Sequence, residues 1–172
     1  IEASYMKNGI VDEIATKYWQ AIRDRAGVDI DFTKTIQMTD LSKENDWGAY
    51  SAGQLVDATL FNIRRERRNE LLSEGLRMMD LKRWRSMDQV DNYIIEGFNL
   101  WDIAYDAYKD ENGKSLLIYD GSAASNVSNP SLSKYLRPFQ RVIENNPVYD
   151  GLKWSKANYL EPIGFRDIQL AS

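Results

Sequence analysis

The stretch from Phe61 to Trp84, FNIRRERRNELLSEGLRMMDLKRW, concentrates carboxylates and guanidinium groups at helical spacing. Two kinds of chemistry would use such a set. Glu70, Glu74 and Asp80 could serve as acid/base carboxylates, or Arg64, Arg65, Arg67 and Arg68 could hold an anion. On a helical wheel advancing about 100° per residue, Ile63, Leu71, Met78 and Leu81 share one arc with Arg67 and Glu74. An isolated charge on a buried face costs several kcal/mol, so each of these needs a partner. The spacing offers them: Glu70 lies three residues from Arg67, and Arg77 lies three from both Glu74 and Asp80. Opposite charges at matched spacing argue against an anion site, and a guanidinium fork on a carboxylate fixes geometry better than it moves protons. The expectation is a structural ion-pair network of Arg67, Glu70, Glu74, Arg77 and Asp80, in which Arg67→Ala or Glu74→Ala lowers stability by a few kcal/mol.

The remaining residues with chemical promise are aromatic. Trp47 and Tyr50 precede the charged stretch, Trp101, Tyr105 and Tyr108 follow it together with Asp102 and Asp106, and Tyr149 and Trp154 come late. Flat rings beside polar side chains suit sugars, whose C–H faces stack on aromatics while their hydroxyls take hydrogen bonds. The candidate ligand-binding residues are therefore Trp47, Tyr50, Trp101, Asp102, Tyr105, Tyr108 and Trp154. Trp101, Tyr105 and Tyr108 also stand at i, i+4 and i+7, the pattern of an ordinary core stripe. Asp102 and Asp106 could be read as the paired carboxylates of a glycosidase, but Asp at i and i+4 is common on helices.

Composition excludes much else. The 172 residues carry 22 basic and 26 acidic side chains, a net charge of -4, with no basic tail to follow a phosphate backbone. Nucleic acid is not an expected partner. With no Cys and no His, the chain can build no disulfide, no Cys/His zinc site, no thiol nucleophile and no imidazole-based triad. No metal or cofactor is expected. Asp29 to Thr35 and Asp110 to Ser115 resemble fragments of calcium loops but lack the full ligand spacing, and turns explain them better. The Asn126-Val127-Ser128 sequon is read as chance in a Ser/Asn-rich loop.

The elements that must position these residues are mostly helical. Residues 1–27 read as two helices broken at Asn8-Gly9, with Ile10, Ile14, Tyr18, Ala21 and Ile22 on one face of the second and Gly27 as its cap. Val28 to Ser51 reads as a connecting loop with a helical turn near Leu41 to Trp47. Residues 52–86 form the main helical region, broken or bent near Gly75. Residues 87–172 are loop-rich, and Asn112-Gly113 marks a candidate β-hairpin. A chain of this length and 43% apolar content is expected to form a single domain, residues 1–172.

These residues carry a family resemblance. Ile63, Glu66-Arg67-Arg68, Glu70-Leu71, Glu74-Gly75, Arg77, Asp80-Leu81 and Arg83-Trp84 resemble the signature I-x-x-E-R-R-x-E-L-x-x-E-G-x-R-x-x-D-L-x-R-W of SusD/RagB-like outer-membrane nutrient-binding proteins. EASYMKNG and AIRDRAG resemble that family's last TPR-like helical pair, and NYLEPIGFRDI its terminal segment. The resemblance implies a mostly α, SusD-like helical fold with a TPR-like pair and long irregular loops. It also implies that the chain is the C-terminal portion of a longer lipoprotein, its lipid anchor lying outside this chain. By the same resemblance, the protein sits on the outer membrane at the cell surface, captures a glycan or other nutrient without catalysis, and partners a SusC-like TonB-dependent transporter. Two alternatives from other classes are a free-standing helical-repeat interaction module, which needs its repeat more than once, and a glycosidase.

Overall fold

The computed structural model describes residues 1–101 and 105–160, with only the backbone at Asp106. It is mostly helical and falls into two compact units, one from Ile1 to Gln89 and a second from Val90 onward.

In the first unit, α1 (Glu2–Asn8) ends where Gly9 takes a left-handed φ of 71° and returns its N–H to the Tyr5 carbonyl. Asp12 then caps α2 (Glu13–Arg25), its carboxylate accepting the Ala15 N–H at 2.8 Å. The buried face of α2 is Ala15, Trp19 and Arg23, one step round from the expected one, and Ile14 is left 66% exposed along with Ile10 and Tyr18. The rotation follows from Trp19, the largest apolar side chain on the helix. Its ring stacks parallel on Phe32 at 4.1 Å between centroids, which gains more than burying Ile14 would.

Phe32 opens α3 (Phe32–Met38), capped by Asp31, in the stretch expected to be a connecting loop. That expectation is corrected: with Trp19 and Ile63, Phe32 forms the unit's main cluster, and Ile1, Tyr5, Val11 and Ile36 pack around it. Thr33, Thr35 and Ile36 are poor helix formers, so tertiary packing and the Asp31 cap decide the matter.

The regular sheet of the described residues is also in this unit. Strands β1 (Tyr50–Ser51) and β2 (Gln54–Leu55) pair antiparallel across Ala52-Gly53. Both turn residues have positive φ, 50° and 79°, the combination a two-residue type I′ turn requires. At Asn112-Gly113, the expected hairpin is reduced to a single bridge, Lys109 with Ser115. There the Asp110 carboxylate accepts the N–H groups of Asn112 and Lys114, an Asx turn that closes the loop before strands can extend.

Asp57 caps α4 (Ala58–Glu70), which buries Leu60, Phe61, Asn62, Ile63 and Arg64. The chain then breaks through Ser73 and Gly75, with φ of 68° and 75°, before α5 (Arg77–Arg83). The break ends the wheel that would have carried one arc from Ile63 to Leu81. Leu81 is buried, but Met78 is 53% exposed.

The second unit is held by irregular pairings and 3₁₀ turns. Asn92 and Tyr93 exchange backbone bonds with Leu152 at 2.7 and 2.9 Å, and Gly97 and Phe98 do so with Leu136 at 2.8 Å each. Gly151 has φ 94°, and a Cβ there would lie 2.5 Å from the Asn92 carbonyl oxygen, so only glycine permits this approach. Leu100, Leu117 and Val127 form the core, with Trp101, Tyr105 and Leu136 packed on it.

Candidate functional site

The charged stretch resolves into a set of ties between elements. Arg67 Nε donates to both oxygens of Asp80 at 2.9 Å, crossing the break from α4 to α5. Glu70 accepts from Arg25 and Glu66 from Arg23, binding α4 to α2. Arg83 and the Trp84 indole N–H both donate to Glu2, at 2.8 and 2.7 Å, fixing α1. Arg77 does not pair within its own helix but reaches Asp46 at 2.6 Å.

Asp46 is the hub that the sequence did not reveal. Its carboxylate, 7% exposed, accepts from Arg68, from Arg77 and from the Gly48 N–H at 2.8 Å. The last bond caps a 3₁₀ turn, Trp47–Ala49. A Cβ on Gly48 would crowd Asp46 Oδ1 at 3.2 Å and the Trp84 ring at 3.4 Å, which explains the small residue there. The signal was an Asp two residues before a Gly, which marks a local cap but names no partner 22 or 31 residues away.

Glu74 is corrected. It lies on the exposed turn between α4 and α5 and enters no ion pair among the described residues. Its assignment to the network carried one helical wheel across the expected interruption at Gly75, and the left-handed residues at 73 and 75 carry it into solvent.

Arg64 is the most buried cation among the described residues, at 3% exposure. It donates to the carbonyls of Gly48 and Tyr50 at 2.9 and 3.0 Å and to Ser51 Oγ at 2.9 Å. Its guanidinium lies 4.7 Å from the centre of the Trp84 ring. Burial pushes its pKa down to about 10, so it stays protonated at neutral pH and clamps the β1–β2 hairpin to α4.

The aromatic candidates divide between the units. Trp47 lies in the 3₁₀ turn that Asp46 caps, and the Tyr50 backbone carbonyl accepts from Arg64 and Ser86. In the second unit, Trp101 and Tyr105 touch at 5.6 Å between centroids, and Tyr119, absent from the sequence candidates, meets Trp101 edge-on at 5.3 Å. Tyr105 to Tyr108 is a 3₁₀ turn, so the i, i+4, i+7 stripe is not an α-helical face. Tyr105 packs on the core with the Lys109 ammonium 4.9 Å from its ring centre, while Tyr108 and Tyr119 are each 43% exposed. Trp154 packs edge-on against Tyr159 at 5.3 Å, apart from that cluster in the contacts it makes. Asp102 lies outside the described residues, as do the Asp106 side chain and residues 161–168 of the terminal segment.

Among the described residues, each carboxylate with a displaced pKa is displaced downward. Asp12 is lowered mainly by the Ala15 N–H, Asp29 by Lys34, Asp31 by Thr33, and Asp40 and Asp120 by Ser42 and Ser122. None of these five is tuned toward a general acid, which needs an elevated pKa. Among the described residues, no cluster of three or more acidic side chains is placed to hold a metal ion. Asp29 and Asp31 instead engage Lys34.

Two recesses flank these features. The larger, about 820 Å³, lies in the first unit, floored by Ile1, Met6, Ile22, Ile63 and Leu71. Its charged rim is already spent on Arg25–Glu70, Arg67–Asp80 and Arg83–Glu2, so it offers apolar surface and little to read a hydroxylated ligand. The smaller, about 370 Å³, lies in the second unit around Phe139 and Arg141.

Short helices tied to one another by internal ion pairs define a helical scaffold. The family model described as the SusD family matches residues 1–169, and the chain belongs to that family of outer-membrane nutrient-binding proteins. No curated protein and no solved structure matches the chain.

Proposed function

We propose that this chain is part of a cell-surface protein that captures a nutrient, an oligosaccharide in the first instance, and delivers it to a TonB-dependent outer-membrane transporter without transforming it. The observation that carries the reading is the family match across residues 1–169. The geometry supports it: the signature carboxylates Glu66, Glu70 and Asp80 are tied up in internal ion pairs, and the chain has neither His nor Cys to act as base or thiol nucleophile. The proposed ligand-facing residues are Tyr119, which meets Trp101 edge-on, and the exposed Tyr108 on the same 3₁₀ turn as Tyr105, with Trp47, Tyr50 and Trp154 as secondary candidates. Attachment to the outer membrane is through a lipid anchor.

The test is a glycan-array screen of the full-length protein and of this chain, followed by chromatography of each bound oligosaccharide after long incubation. Saturable binding with the ligand recovered intact is expected. Cleaved products would move the protein to a glycosidase class. Copurification of a TonB-dependent transporter with the tagged protein is expected from membranes, and its absence would remove the transport partner.

A further inference from the structure

The second unit contains one recess whose polar groups are not all spent on the fold. Its walls are Ser125, Pro138, Phe139, Arg141, Val142 and Asn146, and at about 370 Å³ it falls near the low end of small-molecule sites, roughly 300–1,000 Å³. Phe139 is 49% exposed beside Pro138, an apolar ledge of the kind that sugar C–H faces stack on. On the same recess, Arg141 Nε donates to the Ser125 carbonyl at 3.1 Å, which orients the guanidinium and leaves its two terminal nitrogens without a partner among the described residues. Among the described residues, no acidic side chain lines the recess. The contrast is with Arg137 on the same turn, whose guanidinium is spent on Glu96 and Gln140.

The walls are held in place independently of any ligand. The Asn146 amide donates to the carbonyls of Phe139 and Val142 at 2.5 and 2.8 Å, and its oxygen accepts the Val148 N–H. Ser125, 1% exposed, donates to Asp120 at 3.0 Å. Gly121 has φ 78°, and a Cβ there would lie 3.0 Å from the end of the Ile143 side chain. A ledge and a donor fork held this way need little reorganisation on binding.

Resting on the nutrient-binding reading above, we infer that this recess takes a carboxylate-bearing sugar unit, its ring on Phe139 and its carboxylate on the open edge of Arg141. A guanidinium presents two parallel N–H donors matched to a carboxylate. A neutral sugar would leave that charge unanswered, so the site discriminates acidic from neutral units.

The test uses the full chain, oligogalacturonides as the probe, and the same oligomers reduced at the carboxyl to neutral galactose units. Isothermal titration of wild type, R141Q and F139A gives the affinities, with circular dichroism to verify folding; both side chains are exposed, so both variants should fold. Wild type should prefer the acidic oligomer about tenfold or more. R141Q should lose that preference while keeping affinity for the neutral oligomer, and F139A should weaken both. Equal affinity of wild type for the two oligomers, or an acidic preference that survives R141Q, overturns the inference while leaving nutrient binding intact. Absence of binding to both oligomers and to every glycan on the array overturns both readings.

Discussion

Replacing Asp46 by Asn tests how the charged stretch is held together. The substitution keeps the side-chain shape and the Oδ1 that accepts the Gly48 N–H at 2.8 Å. It removes the charge that answers both Arg68 and Arg77, and it turns N–H donors toward one of them. Removing one member of a fully buried ion pair costs about 3–5 kcal/mol. Here the carboxylate is buried but the Arg68 and Arg77 side chains are 41% and 35% exposed, so water compensates part of their loss. The expected cost is about 2–3 kcal/mol, equivalent to roughly 5–10 °C in melting temperature for a chain of this size. Asp46→Ala should cost about 1 kcal/mol more, because the cap is lost as well. Urea denaturation at an unchanged m-value reads the difference. A double-mutant cycle of Asp46→Asn with Arg77→Ala should be strongly non-additive, since both act on one contact. An Asp46→Asn variant within about 0.5 kcal/mol of wild type, or strict additivity in the cycle, would refute the hub.

Other outcomes follow from the same geometry. Glu74→Ala should leave stability within the scatter of ordinary surface substitutions, about 0.5 kcal/mol, whereas membership of the ion-pair network would have the melting temperature fall by several degrees. Phe32→Ala should cost about 3–5 kcal/mol by emptying the stack on Trp19, and wild-type-like melting of that variant would remove α3 from the core. The lowered pKa values of Asp12, Asp29, Asp31, Asp40 and Asp120 mean that the folded state binds these protons less readily than the unfolded chain. Their contribution is therefore full above the ordinary carboxylate pKa of about 4 and is lost as pH falls through the lower folded values. Melting temperature should be flat from about pH 5 to 7 in this respect and drop below about pH 4, and a chain as stable at pH 3 as at pH 6 would contradict those bonds.

Local features of the fold could be read from residue order. The break at Asn8-Gly9 and the interruption near Gly75 both act within a few residues, where glycine has a specific local role. The signature itself was legible because thirteen of its residue types sit at set spacings in one stretch. Partnership across space was not. Asp46 meets Arg77 over 31 residues and Arg23 meets Glu66 over 43, and nothing in either neighbourhood names the other. The i, i+3 rule supplied plausible partners on one helix, but the chain satisfied most of those charges from other elements. Phe32 escaped notice for the same reason, since its helix is supported by Trp19 and its cap more than by propensity. The turn at Ala52-Gly53 lacked the Asn-Gly or Asp-Gly signal, and the Arg64 bonds to Tyr50 and Ser51 hold it instead. Arg141 was passed over because an unspent guanidinium is visible only once every neighbour's bonds are placed.

The most direct measurement of the central claim is hydrogen–deuterium exchange with and without a bound oligosaccharide, with the ligand recovered and chromatographed afterwards. Protection concentrated between residues 98 and 146, little change across residues 58–83, and an intact ligand are the predicted result. Protection centred on Phe61 to Trp84, or a cleaved ligand, would contradict the view that the charged signature is scaffold and that binding takes place elsewhere.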